Sequence, residues 1–171
     1  MIFSEDNPSK SLFSWDYEEF SQSEIWFLMA KAYLDCSVNV FSEINNGTLT
    51  KSYYHAGVGA FLFEHSIELF LKASIVQAGK EVQGHHEIEL HYKQFKNLYP
   101  GKKYEFNGRI EDIATIDENR PQSEFHRYPT DNSGMLWQVN THFDLDIWLE
   151  QLKTFERDFD RLEPAIKDRY P

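Results

Sequence analysis

The sequence predicts an all-α protein, an up-and-down bundle of four main helices with a long ordered loop before the last one. Three observations predict it. Apolar residues recur at three- and four-residue intervals over long stretches, the period of a helix with one buried face. Helix-stopping clusters, Asn45-Asn46-Gly47, Gly79 and Tyr99-Pro100-Gly101, divide those stretches. The chain of 171 residues is long enough for one domain with a real core, and 14 Phe, 9 Tyr and 4 Trp supply large side chains to fill it.

Residues 1–14, with Asn7-Pro8-Ser9, read as a partly ordered arm, and residues 15–171 as a single domain. The first helix runs from Trp15 to about Ile44, where Phe20, Trp26 or Phe27, Ala30, Leu34, Val38 and Phe41 advance by threes and fours. Gly47 or a neighbouring Asn ends it in the left-handed conformation. The second runs from about Ser52 to Ala78 and is apolar enough to be central, with Gly79 as the residue just past its end. Gly57 and Gly59 within it permit close helix contact rather than forming a nucleotide loop, and Tyr53-Tyr54-His55 at its start reads as packing.

The third helix runs from about His86 to Leu98, and a short one is expected around Arg109 to Glu118. Residues 118–134, ENRPQSEFHRYPTDNSG, hold two prolines and no helical period, so they form the loop. A short extended piece is expected at Met135 to Asn140. The last helix spans Thr141 to about Ile166, with Asn140 or Thr141 as N-cap and Asp144 and Asp146 in its early turns. Its apolar face is Phe143, Ile147, Leu152, Phe155, Phe159 and Leu162.

A formal net charge of −11 argues against an extended basic groove for duplex nucleic acid, although it permits a local cationic pocket. Cys36 is the only cysteine, which removes an intramolecular disulfide and a four-cysteine zinc site. The first residues, MIFSEDNPSK, lack a basic region followed by an apolar stretch, and no apolar run approaches the roughly 18 residues of a membrane span. A cytoplasmic location is the expectation.

The stretch GHHEIELH at residues 84–91 looks like a zinc-protease signature. Zinc helices place two histidines four apart on one face. Here His86 and His91 are five apart in sequence, which on a helix separates them by roughly 140°. Glu87 and His91 have the right spacing, but two ligands need a third and the sequence points to none. No metal or other cofactor is expected.

Three pieces in order do resemble a known family. They are Glu68-x-x-Leu71-Lys72-Ala73 in the second helix, His86-Glu87-Ile88 opening the third, and Arg127-Tyr128-Pro129 in the loop. This order resembles the HEPN family (higher eukaryotes and prokaryotes nucleotide-binding domains) over roughly residues 52–166. The resemblance implies a helical bundle that pairs as a homodimer, a nucleotide or RNA ligand, and a separately encoded nucleotidyltransferase as partner. Many members are metal-independent ribonucleases with an Arg-x(4–6)-His motif on the last helix. Here that helix carries Arg157, Arg161 and Arg169 with no histidine downstream. Only Arg120 and His126 match the spacing, and Pro121 breaks a continuous helix between them.

His65, Glu68 and Lys72 fall at i, i+3 and i+7, a polar stripe on an otherwise apolar helix. A buried charge must be paired. Glu68 is therefore expected to receive Arg127 or Arg120 from the loop, with His65 and Lys72 alongside and Tyr128 close by. The arrangement suits a loop anchor or the wall of an anion pocket. The His86-Glu87 pair reads as a helix start, the acid meeting free N–H groups and His86 reaching a carbonyl of the preceding loop. Two functions follow. The first is a non-catalytic binding module for a nucleotide, RNA or partner protein. The second is a toxin- or defence-type ribonuclease in which His126 exchanges protons and Arg120 steadies phosphate charge.

Overall fold

The computed structural model describes residues 20–49, 52–84, 86–110 and 144–171. Four long helices account for most of them: α1 (Gln22–Asn45), α2 (Ser52–Gln77), α3 (Ile88–Leu98) and α4 (Leu145–Arg169), with a short 3-10 turn at Lys102–Tyr104. No strand occurs among the described residues, so the chain is the all-helical bundle its periodicity predicts. None of its described helices is long and apolar enough to cross a membrane.

α1 begins later than its hydrophobic pattern suggests, because Ser21 caps it. The Ser21 hydroxyl accepts from the Glu24 amide while the Glu24 carboxylate accepts from the Ser21 amide, a reciprocal box that satisfies two otherwise orphaned donors. Its buried face is Phe27, Ala30, Leu34, Ser37, Phe41 and Ile44, with Ser23 at the start. Phe27 rather than Trp26 is thus the core residue, Ser37 takes the place expected of Val38, and Phe20 lies half exposed. Ser37 is tolerated inside because its hydroxyl donates to the Gly59 carbonyl at 2.8 Å. Gly47 closes the helix at φ +73°, where the Gly47 and Thr48 amides donate back to the carbonyls of Ile44 and Glu43.

α2 is the hub, packing on α1, α3 and α4. It runs antiparallel to α1: Ser23 at the start of α1 meets Gln77 at the end of α2, and Ser37 meets Gly59 midway. Gly59 makes this approach possible, since a Cβ there would lie 2.7 Å from the Phe41 ring. Gly57 has no such role, with nothing within 4 Å of a Cβ built on it. Gly79 ends α2 as expected, at φ +66°, with the Gly79 and Lys80 amides donating to Val76 and Ile75.

α4 joins on the other side through stacked and edge-on aromatic rings. Phe70 stacks on Phe159 at 4.1 Å between centroids, and Phe63 meets Phe155 edge-on at 5.1 Å. The helix opens at Asp144, whose carboxylate accepts from the Asp146 and Ile147 amides, so neither Asn140 nor Thr141 is its N-cap. It also continues through Pro164 to Arg169, past the expected end at Ile166. Ile147 is exposed rather than buried. α3 packs on the second half of α2, where the Tyr99 hydroxyl donates to the Ser74 carbonyl at 2.7 Å. Burial there pushes the Tyr99 phenol well above its ordinary range. The arm at 1–14, the expected helix past Ile110, the 118–134 loop and the 135–140 piece lie outside the described residues.

Candidate site at the junction of α2 and α3

The polar stripe on α2 becomes a cluster around Glu68. Glu68 sits on a helix whose apolar residues around it, Phe63, Ile67, Leu71 and Ile75, are fully buried or nearly so, and is itself only 4% exposed. A carboxylate cannot stay ionised there alone. Lys72, one turn on, donates its ammonium to Glu68 Oε1. His86 Nδ1 reaches the same oxygen at 3.0 Å from the segment before α3. His65 Nδ1 stands 3.6 Å from Oε2, a charge contact just beyond hydrogen-bond reach. Burial raises the Glu68 carboxyl, but the His65 imidazole and the Lys72 ammonium outweigh it and hold the group down at about 2.

Because Glu68 is ionised it only accepts, so the His86 nitrogen facing it must carry a proton. That fixes Nδ1–H toward the carboxylate and leaves Nε2 on the far side of the ring. His65 also faces Glu68 through Nδ1, and is held between Tyr33, edge-on at 4.7 Å, and Phe61, stacked at 5.7 Å. No hydrogen bond from either Nε2 occurs among the described residues. His86 is the open side of the cluster, its side chain 58% exposed against 26% for His65.

His91 lies behind this group, fully buried on α3 and close to the Gly84 backbone. Burial pushes its pKa down, Lys72 adds to that, and Glu68 and the nearby Gly84 backbone oppose it. Three features of this segment depart from expectation. α3 starts at Ile88, two residues later than expected, and Glu87 in the N-cap position makes no side-chain capping bond. His86 turns to a carboxylate of α2 instead of a loop carbonyl. The acid at the helix start is thus idle as a cap, and the histidine before it carries the contact.

A second buried carboxylate, missed in the sequence, sits on α4. Asp158 is 0% exposed and accepts from the Asn107 amide and side chain, both at 2.7 Å, from the Gly108 amide at 2.9 Å, and from Arg161 Nη2 at 2.8 Å. Arg161 also donates to the carbonyls of Lys103 and Glu105. Gly108 is pressed so closely on Phe155 that a Cβ would lie 2.4 Å from its ring. The group ties residues 103–108 to α4 and is structural. Its sequence signal is weak: an Asp and an Arg three apart on a helix look like a surface pair.

Other features carry less. The cavity of about 450 Å³ between α1 and α4 mixes Lys31 and Arg157 with Asp35, Glu156 and Asp160. Lys31 is taken up by Asp160 and Glu163, at 2.9 and 2.8 Å. Tyr54 is 72% exposed, so it does not pack in the core as expected. Among the described residues no three of His, Cys, Asp and Glu are gathered so as to hold a metal ion.

Of the residues expected at the site, the structure brings together His65, Glu68 and Lys72. Arg120, His126, Arg127 and Tyr128 lie outside the described residues, and with them the expected loop partner of Glu68. His86 and His91 are additions. Compared with models of protein families, with curated proteins and with solved structures, the chain matches none.

Proposed function

We propose that the chain is a HEPN-like binding module without catalysis of its own, and that it engages a nucleotide or an RNA end at the α2–α3 junction. One observation carries the reading. The Glu68-x-x-Leu-Lys-Ala and His86-Glu-Ile pieces, 18 positions apart, meet through the contact between His86 and Glu68. That contact between two elements of the resemblance is what supports the reading. The chemistry of the junction supports it as well: one carboxylate is ringed by an ammonium and two partly exposed imidazoles, all nitrogen donors that suit an anion. A homodimer, a cytoplasmic location and a separately encoded nucleotidyltransferase as partner belong to the same reading.

The test is to titrate purified protein with fluorescent mononucleotides and short RNAs, and to incubate it with mixed RNA in EDTA. Saturable binding with intact RNA is expected. Cleavage that survives the chelator and disappears in Arg120→Ala and His126→Ala, both still folded, would replace the binding module with a metal-independent nuclease using the loop. Neither binding nor cleavage would overturn the proposal.

A further inference from the structure

The chain carries 28 acidic residues against 17 lysines and arginines, so its cations have carboxylates in plenty to pair with. Lys31, Lys72, Lys93, Arg161 and Lys167 each hold one. Lys96, Lys102, Lys103 and Arg169 hold none among the described residues, and all four stand exposed at one end of the bundle.

Rings build that end. Tyr99, at the close of α3, packs on Tyr104 of the 3-10 turn at 5.3 Å and on Tyr170, just past α4, at 5.5 Å. Arg169 lies against Tyr104 and Tyr170, at 5.4 and 5.5 Å from their centroids, and Lys103 lies against Tyr104 at 5.5 Å. One ring thus gathers cations from two elements. Lys102 precedes Lys103 in the same turn, and Lys96, in the last turn of α3, lies over Tyr92 at 4.4 Å. Arg161 braces the turn from α4, donating to the carbonyls of Lys103 and Glu105 at 2.8 and 2.6 Å.

A cation near a helix C-terminus offsets the dipole there, which accounts for Lys96 and Arg169. It does not account for Lys102 and Lys103, which lie outside any α-helix, nor for four cations gathered without a partner. From Gln94 to Tyr104 the sequence has no Asp or Glu, and only Glu105 and Asp168 adjoin the patch along the chain. None of the large exposed hydrophobic residues Phe20, Leu28, Tyr54, Val58, Leu90 and Ile147 belongs to it. A protein partner needs an apolar anchor at the centre of its contact, whereas a phosphate backbone needs spaced cations. The surface fits the second.

We infer that this end of the bundle is a track for the phosphodiester backbone of single-stranded RNA, held by Lys96, Lys102, Lys103 and Arg169. The inference rests on the binding reading above and narrows its ligand. The 11 residues of α3 separate the junction at its start from the patch at its end by about 16 Å. One mononucleotide does not span that distance, and a strand of several nucleotides does. Four cations are too few for an extended duplex groove, in keeping with the net charge of −11.

A 5′-mononucleotide, a short oligouridylate and polyglutamate of matching charge are titrated into the full chain over a range of salt concentrations. The wild type is compared with the double variant Lys102→Gln/Lys103→Gln, with His86→Gln, and with Lys93→Gln, a lysine of α3 outside the patch and paired with Glu89. All these side chains are exposed, so the variants should melt with the wild type. The oligouridylate should bind more tightly than the mononucleotide. Each phosphate contact on a single strand contributes about 0.7 to the slope of log affinity against log salt, so the double variant should flatten it by about 1.4 and weaken binding about tenfold at about 0.15 M salt. Lys93→Gln should do neither.

Mononucleotide binding with no gain for the oligouridylate, or a salt slope that the double variant leaves unchanged, would overturn the track and leave the proposed function standing. Oligouridylate binding that needs the two lysines, without mononucleotide binding and indifferent to His86→Gln, would uphold the track and overturn the junction as the site. Polyglutamate bound as tightly as the oligouridylate would make the patch a dock for an acidic protein and overturn its assignment to RNA.

Discussion

Replacing Asp158 by Asn tests the internal tether that holds the 103–108 segment to α4. The substitution keeps shape and removes charge. Asp158 receives two backbone amides on Oδ2, and Asn107 Nδ2 and Arg161 Nη2 on Oδ1. An Asn amide retains one oxygen, so whichever way it turns, its NH₂ meets two donors and two of the four bonds are lost. Hydrogen bonds to a charged group contribute about 1.5–3 kcal/mol each, so two lost at a fully buried position cost about 3–6 kcal/mol. For a domain of this size that lowers Tm by on the order of 10 °C. Urea and thermal unfolding of Asp158→Asn measure it, with Asp160→Asn as control because Asp160 makes only an exposed pair with Lys31. Hydrogen exchange at the Asn107 and Gly108 amides should also accelerate. A variant within about 1 kcal/mol of wild type would refute the assignment of Asp158 as the tether.

Two further outcomes follow from the same geometry. Gly57→Ala meets nothing within 4 Å and lies inside α2, so it should stabilise by about 0.5–1 kcal/mol through helix propensity, whereas Gly59→Ala, whose Cβ would sit 2.7 Å from Phe41, should cost about 1–3 kcal/mol. Urea midpoints of the pair check this, and equal shifts would show that α1 and α2 do not meet as closely at Gly59. The Glu68 carboxyl, held at about 2 against an ordinary 4.5, contributes stability that is fully present above about pH 4.5 and lost as pH falls toward 2. The stability gap between wild type and Glu68→Gln should therefore shrink by up to about 3 kcal/mol over that interval, and a gap independent of pH would contradict the pairing.

Much of the architecture was legible because it depends on local signals. Gly47 and Gly79 stop their helices where a left-handed residue is needed, and the Phe and Leu periods of α1, α2 and α4 mark their buried faces. Boundaries went astray where a side chain overrides the apolar period. Ser21 and Asp144 start their helices by capping, and neither is apolar, so a pattern of hydrophobic residues runs past them. Ser37 was missed for the same reason: a hydroxyl that bonds a backbone carbonyl can fill a core position that the period assigns to Val38. The site was half legible. A carboxylate among buried aliphatics must find partners, and i, i+3 and i+4 spacing identifies His65 and Lys72. Nothing local identifies His86, because its contact depends on how the chain returns after Gly79.

The contrast between the two buried carboxylates carries the functional argument. Asp158 is met by backbone amides, an Asn and an Arg, groups that keep their charge state across the physiological range, and it is sealed from solvent. Such a carboxylate fixes a segment and has nothing further to offer. Glu68 is nearly as buried, yet two of its three partners among the described residues are imidazoles, and His86 leaves the cluster with an open side. The open side at His86 leaves room for a ligand that the sealed surroundings of Asp158 exclude, which is why the proposed binding function is assigned to the α2–α3 junction and not to the Asp158 site on α4.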